Sequence, residues 1–273
     1  MTTAALPTLF VPHGAGPCFF MDWEPADAWV RMERWLRAVP ELVGVRPTAV
    51  LVVSGHWEAP RFTVNAQERP PLLYDYHGFP PHTYALQYPA PGAPELAVQV
   101  RELLAAAGLA VASEHARGLD HGVFIPLMLI YPQADVPIVQ LSLRQGLEPA
   151  EHLAAGRALV PLRRQGVLIV GSGMSYHNMC RFRFDDASLD PDSERFDAWL
   201  AETVALPAPE RERRLRDWAA APGGRVAHPR EEHLLPLHVV AGAAGDDAGR
   251  QVFRDRVLGS VQSAFMFGAS ASA

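Results

Sequence analysis

Five apolar, β-branched runs punctuate the chain: TLFVP at 8–12, AVLVV at 49–53, RFTVN at 61–65, PIVQLSL at 137–143 and GVLIVGSG at 166–173. Runs of this kind suit strands buried on both faces. Between and after them, helical periodicity predicts helices near 25–39, 93–107, 149–164, 193–205, 208–220 and 235–243. The segment APELAVQVRELLAAAGL is amphipathic, and Gly108 is placed to cap its C-terminus. Strands alternating with helices predict an α/β domain whose central, largely parallel or mixed sheet lies between helical layers. The chain carries no internal repeat, so one catalytic domain over 1–273 is expected, with a frayed tail of small residues at 268–273.

Three of these runs end alike. TLFVP leads into His13, AVLVV passes a probable Ser54-Gly55 turn into His56, and VLIVGSGMSY leads into His177. In open α/β sheets, ligands bind beyond the carboxyl ends of the strands. If the three strands are parallel neighbours, their imidazoles meet at one sheet edge. Neutral imidazole is the commonest metal ligand and the side chain best poised for proton transfer near neutral pH.

Two more segments supply candidates. RGLDHGVFIPL sets Asp120 and His121 before an apolar run that reads as strand or helix. AHPREEHLLPLHVV sets His228, Glu231, Glu232 and His233 before a helix with Pro236 in its first turn. The two histidines of that segment are five residues apart, which excludes a zincin HExxH helix. The proline-rich stretch 68–94 carries Tyr74, Tyr76, Phe79, Tyr84 and Tyr88 and reads as an ordered covering loop, with His77 and His82 available to substrate. His115, His152 and His238 fit helix faces or loop edges.

Composition narrows the function classes. The 273 residues are 49% hydrophobic and 20% charged, with a net charge of -6, which argues against nucleic acid as a partner. The mixed-sign run RERRLRDW at 211–218 reads as a solvated helix face. No signal peptide and no membrane span of roughly 18 apolar residues is visible. Two cysteines, Cys18 and Cys180, are too few for a disulfide framework, and a cytoplasmic location is expected. HGAG at 13–16 is like an esterase oxyanion loop, but no G-x-S-x-G elbow accompanies it.

Taken together and in order, PHG near the N-terminus, SGHWE, LDHGVFIPL, GSGMSYHN and HPREEHLLPL resemble the class III extradiol ring-cleavage dioxygenases, in the 4,5-DOPA dioxygenase-like branch of the LigB-like superfamily. The likeness runs from about residue 8 to about 243. It implies a mononuclear non-haem Fe(II), with Zn(II) a common replacement in purified protein, and a small aromatic diol and O2 as reactants. It implies metal ligation by His13, His56 and His233, with Glu232 the alternative where related enzymes use a carboxylate. His177 matches a histidine that is a fourth metal contact in some members and the acid/base in others, and His121 matches a second active-site histidine. The implied product is a muconic semialdehyde. Asp120 is read as orienting His121 or as a plain loop carboxylate, Trp57 as packing beside the metal, and Glu58 as holding a ligand histidine or capping a turn. Phe19, Phe20, Met21, Trp23 and Tyr176 make the expected pocket wall bulky. The competing expectation is a zinc-dependent hydrolase on the same cluster, with Glu232 as general base. Self-association is left open.

Overall fold

The computed structural model describes residues 5–183 and 188–269. Eight strands form one mixed sheet: β1 (Thr8–Pro12), β2 (Ala49–Ala59), β3 (Phe62–Asn65), β4 (Val111–Glu114), β5 (Ile138–Arg144), β6 (Val167–Gly173), β7 (Gly249–Val257) and β8 (Ser260–Phe267). Their order is β4-β3-β5-β2-β6-β1-β8-β7. The central strands β5, β2, β6 and β1 run parallel, whereas β8 is antiparallel to both β1 and β7, and β3 is antiparallel to β5.

Among the described residues, eight α-helices flank the sheet: α1 (Val30–Val43), α2 (Pro94–Ala106), α3 (His121–Ile130), α4 (Pro149–Leu159), α5 (Pro191–Val204), α6 (Ala208–Arg216), α7 (Gly224–Ala227) and α8 (Leu235–Ala243). Strand alternation divides the core in two. Leu51, Val53 and Phe10 pack with α2, α4, α5 and α8, while Val50, Val52, Leu9 and Val11 pack with α1 and α3. Burial on both faces explains why these strands are continuous apolar runs. Truncating a side chain as buried as Leu51 to alanine costs roughly 2–5 kcal/mol. No helix among the described residues is long and apolar enough to cross a membrane.

Several boundaries differ from expectation. Residues 24–29 are turns and bends, so α1 starts at Val30; it runs on to Val43, where Gly44 adopts φ +84°. α4 stops at Leu159, and residues 160–165 tighten into a 3-10 turn beginning beside Pro161. Gly108, at φ +77°, follows the end of α2 as expected. The tail 268–273 is described only through residue 269; the rest lies outside the described residues.

The basic run 211–218 is only partly a solvated face. Arg213 pairs with Glu210 and Arg214 with Glu202, but Arg211 is fully buried. Its guanidinium donates to the carbonyls of Leu206, Ala241, Gly245 and Asp247. Arg163, also buried, donates to Ala243 and Ala244. Two guanidiniums therefore satisfy carbonyls at the C-terminal end of α8, where a helix accumulates negative potential.

Candidate metal centre

The centre lies at the carboxyl ends of β1, β2 and β6, which are adjacent and parallel. His13 directly follows β1, and its backbone N–H donates to the carbonyl of Gly173 at the end of β6. His56 does not follow a turn. β2 continues through it to Ala59, and its register against β5 shifts between Val53 and Glu58. Such a bulge re-aims side chains next to a site. His233 arrives on the segment before α8, and Met174 donates its backbone N–H to the His233 carbonyl. Gly173 makes this approach feasible, because a Cβ there would collide with that same carbonyl.

Three imidazoles converge. His56 Nε2 lies 3.1 Å from His13 Nε2 and 3.2 Å from His233 Nε2. Each ring has an oxygen on its other side. The Ser172 hydroxyl donates to the Gly122 carbonyl and is left to accept from His13 Nδ1 at 3.1 Å. Glu232 Oε1 accepts from His233 Nδ1 at 3.0 Å, and Asp75 Oδ2 lies 3.7 Å from His56 Nδ1. Protons held on Nδ1 of His13 and His233 turn their Nε2 lone pairs toward His56 Nε2, an arrangement that a cation shared by the three nitrogens satisfies. Nitrogens about 2.1 Å from a shared divalent ion stand about 3.0–3.4 Å apart, so the observed separations fit such an ion. Burial, then the neighbouring imidazoles, pushes the pKa values of His13 and His56 well below the ordinary range. Burial, then the His177 charge, lowers His233 to about 4 despite Glu232. Neutral imidazoles are the form that binds metal.

His121 and His177 stand beside this cluster. The rings of His121 and His56 are 3.9 Å apart, and His177 stacks on His233 at 3.5 Å with a 17° tilt. His177 Nδ1 lies 3.4 Å from Glu232 Oε1. Among the described residues, two groups of donor atoms lie close enough to hold an ion: His13 with His56 and His121, and His177 with Glu232 and His233. Burial would raise the Glu232 carboxyl, yet hydrogen bonds from His177 and His233 outweigh it and hold the group far below the carboxylate range. That carboxylate sits on the Nδ1 side of His233, turned away from the point where the Nε2 atoms meet.

The structure corrects several expected roles. His121 is oriented by Asp75 from the covering loop, which accepts from His121 Nδ1 at 2.8 Å and from its backbone N–H at 2.9 Å. Asp120 instead binds Ser54, Gln140 and Arg117 in the interior. Glu58 forms a two-point ion pair with Arg230 at 2.5 and 2.6 Å. Trp57 lies under Arg117, 5.2 Å from the ring centroid, because strand alternation turns it away from His56. Tyr176 is buried and donates to Asp190. His228, His152 and His238 are buried and bonded to backbone groups, and His115 is exposed.

The five histidines His13, His56, His121, His177 and His233 line one cavity of about 290 Å³. Its remaining wall comes from Trp29, Tyr76, Phe79, Met174, Met179 and Phe182, with His77 and Asp75 at the loop side. Phe19, Phe20, Met21 and Trp23 are not among its lining; Phe19 and Trp23 instead pack edge-on against Trp29. Tyr76, His77 and Phe79 come from the expected covering loop, whereas Asp75, Trp29, Met179 and Phe182 carry no signal in the sequence that marks them as lining. Larger surface pockets of about 420 and 460 Å³ elsewhere are lined by no histidine.

Residues 8–266 match the family described as the catalytic LigB subunit of aromatic ring-opening dioxygenase. A 4,5-DOPA dioxygenase extradiol from Beta vulgaris is 36% identical over 94% of this chain and 93% of that protein. The protein of the same name from Portulaca grandiflora is 40% identical, covering 88% and 86%, and that from Escherichia coli K12 is 35% identical, covering 89% and 87%. A crystal structure of an uncharacterized protein from Escherichia coli K12 superposes with a TM-score of 0.78 at 31% identity, covering 96% of this chain and all of that one. The histidine-lined sheet edge thus sits within a match that spans nearly the whole chain, and the chain belongs to the LigB family of aromatic ring-opening dioxygenases.

Proposed function

We propose that this protein is an extradiol dioxygenase that opens a catechol-type ring with O2 at a mononuclear non-haem Fe(II), releasing a muconic semialdehyde-type product. The convergence of the Nε2 atoms of His13, His56 and His233 carries the reading, since it offers three neutral nitrogens on one side and an open cavity on the other. Fe(II) bound there supplies Lewis acidity toward the catechol oxygens and a path for electrons from ring to O2.

The chain's own residues handle orientation and protons. His177, with Nδ1 directed at Glu232, would take a catechol proton at Nε2 and return it to the product side. His121, its Nδ1 proton committed to Asp75, presents Nε2 to a substrate oxygen. Trp29, Tyr76 and Phe79 flank the ring and exclude water. Zn(II) fits the same nitrogens but would not supply the electron path that ring cleavage needs. A zinc hydrolase using Glu232 as base is disfavoured, because hydrogen bonds to His233 and Arg230 hold that carboxylate behind the ligand ring. With both cysteines free, Cys18 and Cys180, we assign the protein to the cytoplasm.

Oxygen uptake tests the reading. Apoprotein is loaded anaerobically with Fe(II) or Zn(II), a panel of catechols is added, and O2 is admitted. One O2 consumed per catechol with Fe(II) alone is expected. Catechols recovered intact across the panel refute ring cleavage.

A further inference from the structure

Away from its histidines, the cavity is a hydrocarbon surface. Phe79, Met179 and Phe182 lie on its wall, and Met179, 61% exposed, is the most exposed large hydrophobic side chain among the described residues. The charge pattern agrees. The chain contains no lysine, so all 24 of its basic residues are arginines, and none among the described residues lines the cavity. Arg117 is engaged by Asp120 and the His56 carbonyl, Arg181 by Asp190 and Asp192, and Arg230 by Glu58 and Glu232. Residues 184–187, outside the described residues, are Phe-Asp-Asp-Ala and add no cation. Asp75 is the acidic side chain among the described residues lining the cavity.

A carboxylate carried on the ring substituent would therefore lose water without gaining a guanidinium, and would face Asp75. A hydrocarbon substituent would gain burial against Phe79, Met179 and Phe182. We infer that the site selects catechols bearing an uncharged, apolar ring substituent over those bearing a carboxylate. The inference rests on the ring-cleavage reading above and narrows its substrate class.

A near-isosteric pair tests it: 4-propylcatechol, ending in a methyl group, and dihydrocaffeate, ending in a carboxylate. Dissociation constants are measured by calorimetry on Zn(II)-loaded protein, and kcat/KM by oxygen uptake on Fe(II)-loaded protein. The expected result is preference for propylcatechol by about tenfold or more in both. In Met179→Arg, a substitution at an exposed position, dihydrocaffeate should gain and the ratio should narrow. Equal or tighter binding of dihydrocaffeate to the unsubstituted protein overturns the inference. If neither compound nor any catechol of the wider panel drives oxygen uptake with Fe(II), the ring-cleavage reading fails, while the binding ratio on the Zn(II) protein still decides for or against the apolar class.

Discussion

One carboxylate oxygen of Asp75 accepts both the backbone N–H and the ring Nδ1–H of His121. His121 opens α3, so Asp75 also occupies the position where a helix N-terminus favours negative charge. Burial would raise the Asp75 carboxyl, but these bonds bring it below its ordinary value, which keeps it ionised and fixes the imidazole tautomer. Asp75→Asn preserves shape but offers an amide that can turn its NH2 toward Nδ1. We expect kcat/KM to fall about 10–100-fold, with metal content close to unchanged. Metal analysis beside steady-state kinetics checks this, and full activity in the variant would remove Asp75 from the mechanism.

The ligand and acid/base assignments separate by metal content. His13→Ala, His56→Ala and His233→Ala should each lower bound Fe(II) and abolish turnover together. His177→Gln should abolish turnover while the protein still binds metal. Loss of metal from His177→Gln as well would make His177 a fourth ligand.

Gly173→Ala probes how close the His233 segment must come to the sheet. The added methyl would meet the His233 carbonyl, which also accepts from the Met174 N–H. Overpacking of this kind costs about 1–3 kcal/mol, and here it also displaces a ligand. Urea unfolding and metal affinity are expected to fall together. An unchanged metal affinity would show that the segment tolerates the shift.

Acid should destabilise the fold through three buried histidines outside the proposed ligand set. Burial lowers His152 and His238 to about 4 and His228 to about 3, partly offset by backbone carbonyl bonds. Below the ordinary value of 6.5 the unfolded chain binds these protons and the folded chain does not. Stability is therefore full above 6.5 and falls as pH drops toward 4. One pH unit below 6.5, the three together cost about 4 kcal/mol. Urea midpoints between pH 7.5 and 5.5 measure this, and a flat profile would contradict the buried, neutral assignment.

Part of this protein is determined by sequence alone. The runs at 8–12, 49–53 and 166–173 are legible because strands buried on both faces have no polar alternation to conceal them. Histidines at or just beyond their ends then mark a common sheet edge, and Gly108 marks a helix end through its own backbone preference. The β7–β8 hairpin gave no such signal. Its turn places Leu258 and Gly259 at φ +50° and +76°, where asparagine or aspartate ordinarily announces the first position. α3 was ambiguous because it is buried almost all round and so lacks a polar face to set its period.

The site itself required tertiary structure. Asp75 and His121 are 46 residues apart, and no local pattern links a loop carboxylate to a distant helix start. Asp120, adjacent in sequence, turns inward because Ser54, Gln140 and Arg117 satisfy it there. Glu232 and His233 are neighbours in the chain, yet only packing against His56 decides that the imidazole faces the centre and the carboxylate stands behind it. Sequence specifies which donors exist, because local chemistry belongs to each residue; which side each presents is a property of the folded contacts around it.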